Sequence, residues 1–197
     1  MERLEQIEAV AAPIPIINCD TDQIIPAQYL QKLRSDDFGA YLFQGVRFRA
    51  DGSENPEFVL NRPAFRAARI IVANRNFGCG SSREHAVWAL YDYGIRAVIA
   101  PSFGDIFFLN SLKNGLLPIV LPQEVVTGLL AHLDAHPGTT IAVDLPAQRV
   151  TLPDGSAHAF EVDAFAKNCL INGLDELAYT LEHLAEIEIF EREYQGI

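Results

Sequence analysis

Between Asn74 and Ala86 the chain runs Phe77-Gly78-Cys79-Gly80-Ser81-Ser82-Arg83-Glu84-His85, which sets two hydroxyls and a guanidinium side by side. An arginine side chain is a planar fork that grips a carboxylate through two hydrogen bonds. A hydroxyl beside it can accept a proton if its anion is stabilised. Together these groups suit the binding of a small organic anion and the movement of a proton on it. Neither GxxxxGK[ST] nor GxGxxG is present, which argues against a nucleotide-binding loop.

The flanking residues say how such a group would be held. Residues 68–73, Ala68-Arg69-Ile70-Ile71-Val72-Ala73, form a short β-branched run that predicts a strand buried on both faces. Residues 84–93 predict a helix, with Gly94 just past its last turn. Gly78 and Gly80 permit the backbone angles and close approach that a turn over an anion needs. Two readings stay open on pattern alone. Ser81-x-x-Glu84 matches a capping box with no chemistry attached. The amides of the helix start would equally bind a phosphate or carboxylate.

Residues 77–86 resemble the Gly-Ser-Ser-Arg-Glu-His-Ala signature of the swivelling domain of the aconitase superfamily. Asp92-Tyr93-Gly94-Ile95-Arg96-Ala97-Val98-Ile99-Ala100-Pro101-Ser102-Phe103-Gly104-Asp105 is similar to the small subunits of 3-isopropylmalate dehydratases. So is Asn18-Cys19-Asp20-Thr21-Asp22-Gln23-Ile24-Ile25-Pro26, where relatives read Asn-Val-Asp-Thr-Asp-Gln-Ile-Ile-Pro. Lys113-Asn114-Gly115-Leu116-Leu117-Pro118 and Asn172-Gly173-Leu174-Asp175 extend the likeness to nearly the whole chain.

The resemblance implies an α/β swivelling domain of the aconitase C-terminal type, a single domain over residues 1–197. It implies reversible dehydration of 2-isopropylmalate and rehydration to 3-isopropylmalate, in leucine biosynthesis. Ser81 matches the catalytic serine that acts as an alkoxide base. Arg83 matches a carboxylate-binding arginine, and Ser82, Thr21 and Asp22 match further substrate-binding positions. Substrate choice is expected in residues 24–33, where Ile24, Ile25, Tyr29 and Leu30 would offer apolar surface to an isopropyl group. Here the chain departs from many relatives at Gln28 and at Arg34-Ser35-Asp36-Asp37. A sister hydro-lyase acting on citramalate or citraconate, and a stand-alone anion-binding module, are the alternatives.

Dehydration also needs a Lewis acid to help hydroxide leave. Cys19, Cys79 and Cys169 match in number the three thiolates of a 4Fe-4S cluster with one open iron, but none lies in a CxxC-type pair. The family places the cluster in a large subunit, so this chain is expected to bind no cofactor or metal of its own and to act only with that partner. The default for its thiols is the reduced state. His85 is expected to support the loop, since it and Glu84 are adjacent on a helix and do not face each other. Trp88 and Tyr91 read as packing surface, and Asp105 as a helix-dipole partner.

The whole chain has 197 residues, 49% hydrophobic and 21% charged, an ordinary composition for one domain with a substantial core. Its formal net charge of -11 argues against nucleic acid or an anionic membrane as the main partner. With no targeting segment, spanning run or lipidation motif, a cytoplasmic location is expected.

Elsewhere, residues 7–17 read as extended chain that Pro13 and Pro15 would confine to a sheet edge or bulge. Residues 24–48 read as loop with one short helix. Strands at 95–100 and 117–121 and a helix at 103–113 complete a β-α-β-α-β run, which predicts a small parallel sheet. A helix at 123–135 is followed by three antiparallel strands within 141–162, the last two joined through Pro153-Asp154-Gly155-Ser156. Leu174, Leu177, Leu181 and Leu184 recur at helical spacing opposite an acidic face in 174–194. That helix is expected to pack on its own domain, with docking to a partner subunit as the alternative.

Overall fold

A computed structural model describes residues 1–34, 37–81 and 83–194. The strands are β1 (Gln6–Ile14), β2 (Ile70–Ala73), β3 (Ala97–Ala100), β4 (Leu117–Val120), β5 (Thr140–Asp144), β6 (Arg149–Thr151) and β7 (Ala157–Ala159). The α-helices are α1 (Thr21–Ile24), α2 (Gln44–Arg47), α3 (Glu84–Tyr93), α4 (Asp105–Lys113), α5 (Gln123–Ala135), α6 (Ala164–Asn172), α7 (Glu176–Glu182) and α8 (Leu184–Tyr194). One seven-stranded sheet runs β4-β3-β2-β1-β5-β6-β7. Its β1 to β4 side is parallel and its β5 to β7 side antiparallel.

Alternation along β2 explains why its four residues are all buried. Ile71 and Ala73 enter a core with α3, the 24–65 loops and Phe77. Ile70 and Val72 enter a second core with α5, β5 and Leu170 of α6. Successive side chains of a strand point to opposite faces, so a strand covered on both sides must be apolar throughout.

The structure corrects two expectations here. β1 is central, not an edge, and Pro13 pairs in register with Val72. Pro13 is tolerated because residues 11 and 13 face the β5 side. Ala11 N–H already donates there to Thr139, and β5 extends no further along β1 than Thr140 opposite Val10. A missing donor at Pro13 therefore leaves no strand partner unsatisfied.

The second correction concerns the C-terminus. It is two helices broken at His183, and neither buries a residue on the domain. Leu177, Leu181 and Leu184 point outward, while Leu174, ahead of α7, is partly covered against α6 and α4. Ahead of them lies α6, a helix the sequence reading lacked. Asp163 caps it by accepting from the Phe165 and Ala166 amides, and Gly173 closes it in the left-handed region.

Among the described residues no helix is long and apolar enough to cross a membrane.

Candidate functional site

The Ser81 turn sits at the carboxyl ends of β1 and β2, where open α/β sheets commonly place ligands. After β1 the chain makes the single helical turn α1. It is capped by a box in which Asp20 accepts from the Gln23 amide (2.8 Å) and the Gln23 side chain accepts from the Asp20 amide (3.3 Å). This segment is laced to the turn. Gly78 N–H donates to the Cys19 carbonyl at 2.7 Å, Thr21 N–H to the Cys79 carbonyl at 3.0 Å, and the Thr21 hydroxyl to the Ser81 carbonyl at 3.1 Å.

Gly78 is obligatory on two counts. Its φ is +71°, and a Cβ there would lie 2.2 Å from the Phe107 ring. Gly104 meets the same constraint from the other side, since its Cβ would lie 2.6 Å from the Gly78 carbonyl oxygen. Gly104 N–H donates to the Phe77 carbonyl at 2.9 Å. The turn is thus clamped between α1 and the start of α4.

What this clamp presents is Ser81, exposed, and Arg83, whose guanidinium donates to the Asp22 carboxylate in an ion pair. The Arg83 side chain is 17% exposed and Asp22 53%, so the pair lies at the surface with its arginine largely covered. The helix-capping reading of Ser81 is not realised, because α3 begins at Glu84 behind Arg83 with no side-chain cap. The partial positive charge of that helix end is left near Ser81.

The site residues named from the sequence separate into groups. Ser81, Arg83 and Asp22 come together at the surface. Thr21 is 1% exposed and spends its hydroxyl on the turn, so it positions Ser81 and is not placed to touch a substrate. Ile24 and Ile25 are fully buried in the core and offer no surface to an isopropyl group, a correction that follows from α1 folding its apolar side inward. Tyr29 and Leu30 remain half-exposed, with the Tyr29 ring stacked 4.1 Å from that of Tyr41. Ser82, Ser35 and Asp36 lie outside the described residues.

His85 packs against the rings of Phe38 (5.5 Å) and Trp88 (4.6 Å), which also touch each other. Burial first, with Arg83 adding to it, holds its imidazole below the ordinary range, which favours a neutral ring. Glu84 is turned away, accepting from Asn114 at 2.7 Å, and Asn114 in turn accepts from the Trp88 indole at 2.9 Å. Arg34 grips Asp92 with two bonds of 2.9 and 3.0 Å and stacks over Trp88. The sequence reading missed this brace, which joins residues 58 positions apart. It ties the Tyr29–Leu30 loop to the outer face of α3.

Of the three free thiols, Cys19 and Cys169 are buried and Cys79 is partly covered. Among the described residues no three His, Cys, Asp or Glu side chains are grouped to hold a metal ion. Burial pushes the Cys19 thiol up to about 12, and Cys79 and Cys169 are also raised, chiefly by burial.

Comparison with known proteins follows this geometry. The Aconitase C-terminal domain model matches residues 1–124 and the LeuD_N model residues 127–164. The 3-isopropylmalate dehydratase small subunit of Dinoroseobacter shibae is 52% identical over 97% of this chain and 95% of its own. That of Jannaschia sp. is 53% identical over 98% and 96%. The crystal structure of 3-isopropylmalate dehydratase (LeuD) from Methanocaldococcus jannaschii superposes with a TM-score of 0.66 at 26% identity, covering 96% of this chain and 99% of that one. With identity above half across nearly its full length and the same overall fold, the chain belongs to the 3-isopropylmalate dehydratase small-subunit family, on the aconitase C-terminal domain fold.

Proposed function

We propose that this chain is the small subunit of a cytoplasmic hydro-lyase that isomerises 2-isopropylmalate to 3-isopropylmalate in leucine biosynthesis, by dehydration to 2-isopropylmaleate and rehydration at the neighbouring carbon. The observation that carries this reading is the exposed Ser81 held beside Arg83 on a turn braced by Thr21. The Ser81 hydroxyl, as its anion, removes the carbon-bound proton and returns it on rehydration. The nearby guanidinium and the N-terminus of α3 favour that anion. Arg83 exchanges Asp22 for a substrate carboxylate, because its fork fits either partner. Tyr29 and Leu30 face the substrate's apolar branch.

The site as it stands is one wall. Ser81 and Asp22 are exposed, so a second surface must close over the substrate to exclude water. The large subunit supplies that surface, and hydroxide departure falls to the cluster that the family resemblance assigns to it. Reconstitution tests the reading. Mixed with a cluster-loaded large subunit, this chain restores ultraviolet absorbance of the unsaturated diacid from 2-isopropylmalate. Ser81→Ala leaves folding and pairing intact and cuts turnover by roughly 10²–10⁴-fold, the usual contribution of a positioned proton acceptor. Near-normal turnover in the variant, or faster turnover of citramalate than of 2-isopropylmalate by the reconstituted pair, would contradict it.

A further inference from the structure

We infer that α7 and α8 form a docking arm for the large subunit, and that they anchor it through an apolar stripe rimmed by acidic residues. The inference rests on the functional reading above. Leu177 is 68% exposed, Leu181 57% and Phe190 65%, and neither helix buries a side chain. With Leu184, Ile187 and Tyr194, these residues fall three or four apart, the spacing that lines up one face within α7 and one within α8.

The arm is firmly rooted. Asp175 caps α7 by accepting from the Ala178 amide at 2.7 Å, Lys113 pairs with Glu176 at 2.8 Å, and the Tyr179 ring meets Phe165 edge-on at 4.8 Å. A formed, capped helix pair that turns its leucines to water is the mark of a contact surface, since contiguous exposed apolar area is uncommon on proteins that act alone.

Two observations identify the occupant. At the root of the arm lies a cavity of about 210 Å³ between α6 and α4, lined by Leu109, Phe165 and Leu174 and met by α7 through Glu176. Ile106 and Leu109 on the outer face of α4 are 48% and 57% exposed. That helix starts at Gly104, which is bonded to the Ser81 turn, so a protein seated on the arm and α4 also reaches the open side of the site. Charge then excludes a second copy as the better fit. Residues 176–194 hold six glutamates against one arginine, and the chain carries a net charge of -11. Two copies would set these carboxylates against each other, whereas a partner with a basic rim around an apolar centre is attracted.

The full-length chain and the cluster-loaded large subunit of the same organism provide the test. Leu177→Glu with Leu181→Glu, and separately Phe190→Glu, leave the thermal midpoint and circular dichroism unchanged, because no buried side chain is altered. Both weaken binding to the large subunit by at least about tenfold in calorimetry, as expected for apolar anchors at an interface centre. Turnover recovers at saturating small subunit. Glu186→Lys with Glu193→Lys weakens binding and flattens its salt dependence.

Wild-type affinity in both apolar variants overturns the inference. So does a result in which they abolish self-association of the isolated chain and leave large-subunit binding intact, which assigns the face to a second copy. Ser81→Ala serves as the control that loses activity and keeps affinity. If the wild-type pair binds but turns over none of the diacids, the functional reading falls and the variants' affinities still decide the docking. If the wild-type chain does not bind the large subunit, both fall.

Discussion

The Arg83 guanidinium and the Asp22 carboxylate, 61 positions apart in sequence, form an ion pair that joins the two segments of the site. In the proposed reaction Asp22 holds the guanidinium in place until a substrate carboxylate takes over. Arg83→Lys keeps the charge and loses the fork, so KM should rise and turnover fall together. Asp22→Asn removes the competitor as well as the brace. Measured against a saturated diacid that is a competitive inhibitor, it should alter inhibitor affinity at least severalfold, while Arg83→Lys weakens it. Unchanged inhibition constants in both variants would remove the pair from the site.

Burial separates the roles within the 24–33 loop. Ile25 is fully buried, so Ile25→Ala should cost about 2–5 kcal/mol of stability and leave the preference among diacids unchanged. Exchanging residues 27–33 for those of a relative with another substrate should shift that preference with little change in stability. Denaturant midpoints and kcat/KM ratios for 2-isopropylmalate over citramalate distinguish the two. A preference that ignores the exchange would move specificity to the partner.

Gly78→Ala puts a methyl into the Phe107 ring at a φ of +71°. Overpacking alone costs roughly 1–3 kcal/mol, and the left-handed backbone adds to it. The urea midpoint should drop and activity should fall further than stability, since the turn carries Ser81. Phe107→Leu in the same chain relieves the contact and leaves the backbone strain, so recovery should be partial. A midpoint equal to wild type would show that the clamp is soft.

Alkaline pH should loosen the same region. The folded protein holds the Cys19 thiol at about 12 against an ordinary 9.0, mainly through burial and then through Asp20 and Cys79. A raised acid pKa means the folded state binds the proton longer than the unfolded chain. The stability it brings is complete below pH 9 and is lost as pH rises from 9 toward 12. Burial raises the Tyr93 hydroxyl too, from an ordinary 10.0, so its contribution is lost only above pH 10. Cys19→Ala should therefore flatten, without abolishing, the fall of thermal midpoint above pH 9. An unaltered slope would mean that Cys19 ionises freely.

Where hydrophobic period and breakers agree, the sequence is read closely: α3 and α5 are observed over the residues expected, and the antiparallel strands shift by one to three positions. Such elements are specified locally. β1 was misjudged because Pro13 argues from the lost donor alone, and only the sheet shows that no strand lies on that side. Ile24 and Ile25 were misplaced for a related reason. In a segment rich in breakers no period says which side faces the core, whereas Asp20 capping the α1 turn fixes it in three dimensions. The Ser81–Arg83 neighbourhood is legible as chemistry, whereas Asp22 enters only through the family resemblance and its contact with Arg83 only through the fold.

β1 is the hinge of assembly as well as of topology. Its first half pairs antiparallel with residues 140–144 and its second half parallel with residues 70–73. During synthesis the parallel half can close once β2 to β4 have emerged. The half from Gln6 to Val10 then waits, an open edge of the kind that templates pairing between chains, until β5 leaves the ribosome. Contacts this distant in sequence also slow folding. A chain released after Pro122, with β4 but without β5, would be the species most prone to aggregate, and chaperones acting on this protein would have that edge to cover.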